Sequence, residues 1–156
     1  RIDVLVTQNV DGLHERSGFP AERLVNIHGT DSAVECVECR RREPRSVAQA
    51  AWEAGAVVPR CECGGAWKPA TISFGQSLVE EDIRRAMRAA ADADLFVAAG
   101  TSLVVGPINQ MFDLARAAGA KTAILTASET PYDEVADWKV GGPLEVVLPG
   151  VAASVL

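Results

Sequence analysis

The chain has 156 residues, 48% of them hydrophobic, and its 15 basic and 21 acidic side chains give a net charge of −6. This size and composition predict one globular domain with at most a small inserted module. The negative charge argues against direct binding of DNA or RNA. The sequence also lacks a signal peptide and the roughly 18 consecutive apolar residues of a membrane span. We therefore expect a cytoplasmic protein with no nucleic-acid or membrane partner.

Short apolar runs alternate with helical patterns along the chain. Strands are predicted for residues 2–6, 24–25, 95–99 and 122–125, and the first, third and fourth are expected to be buried on both faces. Helices are predicted for residues 47–54, 80–91 and 107–119, and residues 143–156 are expected to form one or two short helices. The strand, helix and strand of residues 95–125 form a right-handed βαβ unit. The fold class is therefore α/β with a parallel sheet.

All four cysteines lie in one window, as Cys36-x2-Cys39 and, 21 residues later, Cys61-x-Cys63. Two close pairs with a gap near 15 to 20 residues are typical of a structural zinc ribbon, although the second pair is one residue shorter than usual. Four thiolates close the coordination shell, which argues against a catalytic zinc. The alternative is two pairs of ordinary thiols. Residues 34–65 are predicted to be this zinc-binding module, and the run Arg40–Arg42 is expected to be its solvated edge.

Three polar loops follow predicted strands, and in a parallel sheet ligands bind where strands end. They are residues 7–14, residues 26–30 and residues 100–103, and we expect them to share one rim of the sheet. His28 is one of two histidines and is a candidate general base, although a lone histidine at a strand end is more often structural. Asp11 and Asn9 also have structural alternatives. Asp11 fits a helix or turn cap, and Asn9 fits an Asx turn. Gly100-Thr101-Ser102 suits a phosphate or ribose, although the motif alone is more often an ordinary strand-to-helix turn.

Together these motifs resemble those of the sirtuins, the NAD-dependent protein deacylases. The resemblance is carried by TQNVDGLH at 7–14, IHG at 27–29, Cys63-Gly64-Gly65, Phe74-Gly75 and GTSL at 100–103, in the family's order. It implies a Rossmann-like parallel sheet with helices on both faces, formed by residues 1–33 and 66–156, with the zinc module inserted. It also implies NAD and a structural Zn²⁺ as cofactors, and acyl-lysine proteins or peptides as substrates.

The resemblance further implies roles for individual residues. His28 would be the general base that deprotonates a ribose hydroxyl, with Asn9 and Asp11 also in the catalytic site. Gln8, Asn9, Val10 and Asp11 would line the nicotinamide and ribose pocket, and Gly100, Thr101, Ser102 and Thr126 would contact the adenosine side of NAD. Cys36, Cys39, Cys61 and Cys63 would hold zinc away from the reaction. Residues 73–75 and Gly106 would border the peptide groove, where the substrate adds as a strand.

Several positions depart from the family pattern. Thr126 stands where sirtuins usually have asparagine, and Gln76 stands where glutamate is common. The family's N-terminal strand and glycine-rich cofactor loop are not found, so we expect an N-terminally truncated sirtuin core. The predicted activity is transfer of the acyl group from lysine to ADP-ribose with release of nicotinamide. The alternatives are mono-ADP-ribosyl transfer at the same site, or an inactive, zinc-stabilised binding module of the NAD family.

Overall fold

The computed structural model describes residues 2–155, with side chains described up to residue 153. The chain divides into two compact units, Arg1–Ile83 and Arg84–Leu156. Across residues 2–155, no helix has the length and apolar character needed to cross a membrane.

In the first unit, two short parallel strands lie side by side. They are β1 (Leu5–Thr7) and β2 (Leu24–Asn26), paired from Leu5 opposite Leu24. Helix α1 (Leu13–Arg16) and a 3₁₀ turn (Ala21–Arg23) connect them. The predicted strand 2–6 is therefore wrong in its bounds, and Ile2 is 57% exposed. The reason is that β2 is only three residues long, so it offers no partner to the residues before Leu5.

The rest of the first unit is an antiparallel sheet with one helix. Strand β3 (Gly29–Cys36) lies between β4 (Arg42–Pro44) and β5 (Trp67–Thr71), and helix α2 (Arg45–Glu53) follows β4. Helix α2 confirms the helix predicted near 47–54 and begins two residues earlier. Strand β3 crosses the predicted boundary at 33/34 and pairs with β5 beyond residue 66. The division of the chain into domains at those boundaries stays a prediction.

Helix α3 (Glu80–Ala91) runs across the division between the units, and it has the bounds that the sequence predicts. The second unit then contains a three-stranded parallel sheet in the order β6 (Leu95–Ala99), β7 (Lys121–Leu125) and β8 (Trp138–Val140). Helix α4 (Gln110–Ala117) connects β6 to β7, and α5 (Leu144–Val155) ends the described chain. The α/β fold class and the βαβ unit are thus confirmed.

The core of the second unit lies between α4 and one face of its sheet. Phe112 is fully buried against Ala98, Leu103 and Ile124. Its ring centroid lies 4.6 Å from that of Tyr132 and 6.0 Å from that of Phe96, which packs edge-on. Helix α4 begins at Gln110 because residues 106–109 form turns, so the start predicted at residue 107 is three residues too early.

Two expectations about the sheets are wrong. Leu95 is 53% and Val97 is 47% exposed, whereas Ala98 is buried. Strand β6 is therefore buried on one face among the described residues, since α4 covers the side that carries Phe96 and Ala98. The three polar loops also do not follow strands of a single sheet: two follow β1 and β2, and the third follows β6. No described strand pairs with both β1 and β6.

Candidate active site and metal centre

His28 lies between β2 and β3 and is held by main-chain hydrogen bonds on both sides. The N–H of Ile27 donates to the carbonyl oxygen of Thr7 at 3.1 Å, and the N–H of Ile72 donates to the carbonyl oxygen of His28 at 2.9 Å. The histidine is half-buried. Its backbone is therefore fixed to the end of β1 and to the residue that follows β5.

The imidazole of His28 is oriented by the main chain of the preceding loop. Its Nδ1 lies 3.2 Å from the carbonyl oxygen of Gln8. Because a carbonyl oxygen can only accept, Nδ1 carries the proton in this contact when the ring is neutral. The lone pair is then on Nε2, which is the arrangement that a general base requires.

Gly29 explains how the chain turns so closely after His28. Its φ of +76° lies in the left-handed region, and a Cβ there would overlap the carbonyl oxygen of Ala70 and lie 3.1 Å from the Cα of Thr71. Only glycine fits both demands. The close approach of β3 to β5 therefore depends on this residue.

The loop after β1 is built on local hydrogen bonds. The N–H of Asn9 donates to Oγ1 of Thr7 at 3.1 Å, and the N–H of Leu13 donates to Oδ1 of Asp11 at 3.0 Å. The N–H of Asp31 donates to the carbonyl oxygen of Val10 at 2.8 Å, which joins the loop to β3. Asp11 thus closes the turn that leads into α1, which fits its interpretation from the sequence as a turn cap. The structure brings Gln8 to His28; the roles of Gln8, Asn9, Val10 and Asp11 toward a ligand stay predictions.

In the second unit, the residues predicted to contact the cofactor lie at the ends of β6 and β7. The N–H of Gly100 donates to the carbonyl oxygen of Leu125 at 2.9 Å, and the N–H of Thr126 donates to that of Val140 at 3.2 Å. Thr126 is buried, and its Oγ1 accepts weakly from the N–H of Ser128 at 3.5 Å. The structure therefore brings Gly100 and Thr126 to neighbouring strand ends, with Thr101 and Ser102 in the loop that follows Gly100.

The loop after β5 ends in an exposed aromatic ring. The N–H of Ser73 donates to Oε1 of Gln76 at 2.8 Å, and the N–H of Gln76 donates to the carbonyl oxygen of Ser73 at 3.0 Å. Phe74, between them, is fully exposed. Gln76 therefore closes this turn through its own side chain, which explains how the loop holds its shape without the glutamate of the family pattern.

The four cysteines form one cluster. Their sulfurs all lie within 4.8 Å of one another, with Cys36 Sγ 3.4 Å from Cys63 Sγ and Cys39 Sγ 3.8 Å from Cys61 Sγ. A tetrahedral zinc with Zn–S bonds of about 2.3 Å separates its sulfurs by about 3.8 Å. The donor set and its spacing thus fit one Zn²⁺ bound by four thiolates, despite the short second pair.

Two cysteines of the cluster have pKa values shifted in opposite directions. Burial raises the pKa of Cys36, but hydrogen bonds from the main-chain N–H groups of Cys39 and Glu38 and from the Cys63 thiol outweigh it and lower that pKa to about 7. The N–H of Arg41 lowers the pKa of Cys39, whereas hydrogen bonds with the other cysteines and burial raise it to about 12. The lowered pKa of Cys36 favours its thiolate, and the raised pKa of Cys39 favours its protonated form. A bound Zn²⁺ requires its cysteine ligands as thiolates.

Two residues, Gly65 and Glu35, support the cluster in ways that the sequence-based predictions did not assign to them. A Cβ on Gly65 would lie 2.6 Å from Cys36 Sγ. The turn that carries Cys61 and Cys63 can therefore approach Cys36 this closely only if residue 65 is glycine. Glu35 is buried and accepts from Arg40 and Arg42, both at 2.9 Å. The arginine run is therefore not merely a solvated edge, although its side chains remain about half exposed. In the sequence, the Gly-Gly after Cys63 and the run Arg40–Arg42 are the features that could have indicated these supports.

Comparison with known proteins points to one family. The model of the Sir2 family matches residues 1–107. The NAD-dependent protein deacetylase of Sulfolobus acidocaldarius is 39% identical over 154 residues, which cover 99% of this chain and 60% of that protein. The NAD-dependent protein deacetylase 2 of Streptomyces coelicolor is 38% identical over 148 residues, covering 94% and 61%. The chain thus spans about 60% of the length of these curated relatives.

Solved structures give the same result. A structure of Sir2 with a p53 peptide and NAD⁺ matches with a TM-score of 0.90 and 28% identity, over 97% of this chain and 62% of that one. A structure of Sir2 bound to an acetylated peptide matches with a TM-score of 0.90 and 27% identity, over 97% and 63%.

Proposed function

The chain belongs to the Sir2 family, and from this premise we propose that its protein is an NAD-dependent protein-lysine deacylase of the cytoplasm. It transfers the acyl group from a lysine side chain to ADP-ribose and releases nicotinamide. The family match and the curated deacetylases that resemble the chain over nearly all of its length support this proposal.

The observation that carries the proposal is the contact between His28 and Gln8. Because Nδ1 donates to the Gln8 carbonyl oxygen at 3.2 Å, the neutral ring has its lone pair on Nε2. We assign to His28 the removal of a proton from a ribose hydroxyl. The hydrogen bonds of Ile27 and of the His28 carbonyl oxygen fix the backbone of residue 28, and the Gln8 carbonyl oxygen orients its ring.

The residues that would hold NAD lie in the loops already described. Gln8, Asn9, Val10 and Asp11 would take the nicotinamide and its ribose, and Gly100, Thr101, Ser102 and Thr126 would take the adenosine side. When bound, NAD supplies a ribose carbon that becomes electrophilic as nicotinamide leaves. Gly100 has a left-handed φ of +61°, which glycine adopts without strain, at the point where the chain leaves β6 for this loop. The shorter hydroxyl of Thr126 replaces an amide as the ribose partner.

The test measures nicotinamide release and loss of the lysine acyl group together. The chain is incubated with NAD and with acetyl-, propionyl- or succinyl-lysine peptides. The protein encoded by the whole reading frame that contains the chain is incubated in parallel. We expect nicotinamide, deacylated peptide and O-acyl-ADP-ribose in equal amounts from the whole reading frame. Omission of NAD should leave the peptide acylated.

Two other outcomes would replace the proposal. Nicotinamide release with the acyl group retained, and ADP-ribose joined to protein, would show mono-ADP-ribosyl transfer. NAD binding without nicotinamide release, with all the peptides, would show a binding module in place of an enzyme.

A further inference from the structure

An ion pair joins the two halves of the cysteine cluster. Nη1 of Arg41 lies 2.6 Å from Oε2 of Glu62, and Glu62 stands between Cys61 and Cys63. Arg41 belongs to the turn that follows the first cysteine pair, since its carbonyl oxygen accepts from the N–H of Cys36 at 2.9 Å. The side chains therefore add a contact between two segments that also meet at the sulfurs and at the hydrogen bond from the Val37 N–H to the Ala66 carbonyl oxygen.

Arg41 has two acidic partners, and they lie on different segments of the chain. Arg41 also donates to Glu43, at 2.7 Å, but Glu43 lies on the same segment, two residues away. The contact with Glu62 is the one that crosses between the cysteine pairs. Glu62 is the single residue between Cys61 and Cys63, so this contact reaches the short segment that carries both ligands of the second pair.

We propose that Arg41 and Glu62 are positioning residues for the metal of the cysteine cluster. Their ion pair holds the two cysteine pairs at binding distance independently of any metal–sulfur bond, and so slows the release of Zn²⁺. The proposal rests on zinc binding by the four cysteines, and it is independent of the proposed deacylase activity.

The physical reason is the cost of bringing two segments together. When one sulfur leaves zinc, the turn that carries it stays within reach if the ion pair persists, and the sulfur returns before the metal escapes. Without the pair, the two turns separate more easily. More conformational entropy is then lost when the free sulfur returns to zinc, so rebinding is slower. Both side chains are substantially exposed, at 47% and 83%, so we expect a two- to fivefold effect, roughly that of one surface ion pair.

The test is the rate of zinc transfer to a colorimetric chelator in excess, measured for the full chain. Arg41→Ala and Glu62→Ala should each release zinc about two- to fivefold faster than the parent, and the double variant should be no faster than either single one. The exchanged pair Arg41→Glu with Glu62→Arg should recover much of the slow release. Raising the salt concentration should accelerate the parent more than the double variant.

Two controls separate the ion pair from general effects of charge. Arg45→Ala breaks the comparably exposed Arg45–Asp31 pair in the same unit, and Glu43→Ala removes the local partner of Arg41. Both should leave the release rate within twofold of the parent. Zinc content of each variant before chelation, and the visible spectrum of its Co²⁺ form, report whether four thiolates still bind tetrahedrally.

The same variants distinguish an ion pair that holds the two segments together from a simple effect of local charge. If charge alone matters, Arg41→Ala and Glu62→Ala change the local charge in opposite directions and should shift the release rate in opposite directions. Slower release from Glu62→Ala, or equal rates for Arg41→Ala and Arg45→Ala, would overturn the proposal. If Arg41→Ala does not fold, Arg41→Gln and Glu62→Gln, made singly and together, give the same comparison. A parent chain that binds no zinc would overturn the metal site itself and leave the test of deacylation unaffected.

Discussion

The Nδ1 atom of His28 and the main-chain carbonyl oxygen of Gln8, 20 residues earlier, are 3.2 Å apart. Because the partner is a main-chain group, no side-chain substitution at position 8 removes it, and the orientation of the ring is set by the course of the chain. The strand ends of β1 and β2 thereby determine which nitrogen of His28 is available as a base.

Replacement of His28 by alanine should lower deacylation by at least about 100-fold, because a positioned general base contributes about that much or more. The measurement is nicotinamide release by the whole reading frame at saturating NAD and peptide. Zinc content and thermal unfolding should match the parent, since the main-chain hydrogen bonds of residue 28 remain. Added imidazole should restore part of the rate, and a variant that keeps full activity would remove His28 from the mechanism.

Replacement of Gly29 by alanine should destabilise the first unit by about 2–4 kcal/mol, because the new Cβ both requires a strained φ and overlaps the Ala70 carbonyl oxygen. The free energy of unfolding is measured in denaturant. Gly18→Ala is the matched control, since its φ of +82° is similar and no atom lies within 4 Å of the added Cβ. An equal loss in both variants would show that the approach of β3 to β5 is not limiting.

Replacement of Gly65 by alanine should abolish or strongly weaken zinc binding, because the added Cβ would lie 2.6 Å from Cys36 Sγ. Zinc per chain is measured after purification in limiting metal. The neighbouring Gly64→Ala has open space around its Cβ and should retain its zinc, with only the cost of a φ of +90°. Full zinc content in Gly65→Ala would contradict the proposed approach of the second turn.

Removal of zinc by a chelator should lower the midpoint of thermal unfolding, because the free energy of metal binding contributes to the free energy of folding. The parent chain is compared with Cys36→Ser, which lacks a buried ligand. The variant should unfold at lower temperature and respond little to the chelator. An equal response in both would mean that the chelator acts elsewhere.

The stability of the second unit should depend on pH through Asp137. Hydrogen bonds from Lys121, and from the N–H and hydroxyl of Thr122, lower the pKa of this carboxyl to about 2. A lowered pKa means that the charged form stabilises the fold above the ordinary pKa near 3.9, and that this contribution is lost as the pH falls through the native pKa.

Asp137→Asn should therefore unfold at a lower temperature than the parent at pH 6, and the two midpoints should converge between about pH 4 and pH 2. Asp92→Asn, which breaks the exposed pair with Arg88 at 3.7 Å, should show little difference at either pH. A constant difference between parent and Asp137→Asn across this range would contradict the assignment.

The sequence predicted helix α3 in full, strands β6 and β7 closely, and helix α4 with an early start. These elements have long periodic patterns or compact apolar runs, so local information suffices. The sequence predicts the short strands less well. Strand β1 begins three residues later than predicted, because its partner β2 is only three residues long. The exposed faces of Leu95 and Val97 were missed, since an apolar run is the same whether one or two faces are covered.

Residue types in a fixed order are enough to predict the family, the α/β class and the chemistry of the candidate residues. How those residues are held follows from the tertiary structure. The tautomer of His28, the need for glycine at positions 29 and 65, and the contact of Arg41 with Glu62 each depend on groups distant along the chain. Distances between such groups arise from packing and strand pairing, and no local pattern in the sequence encodes them.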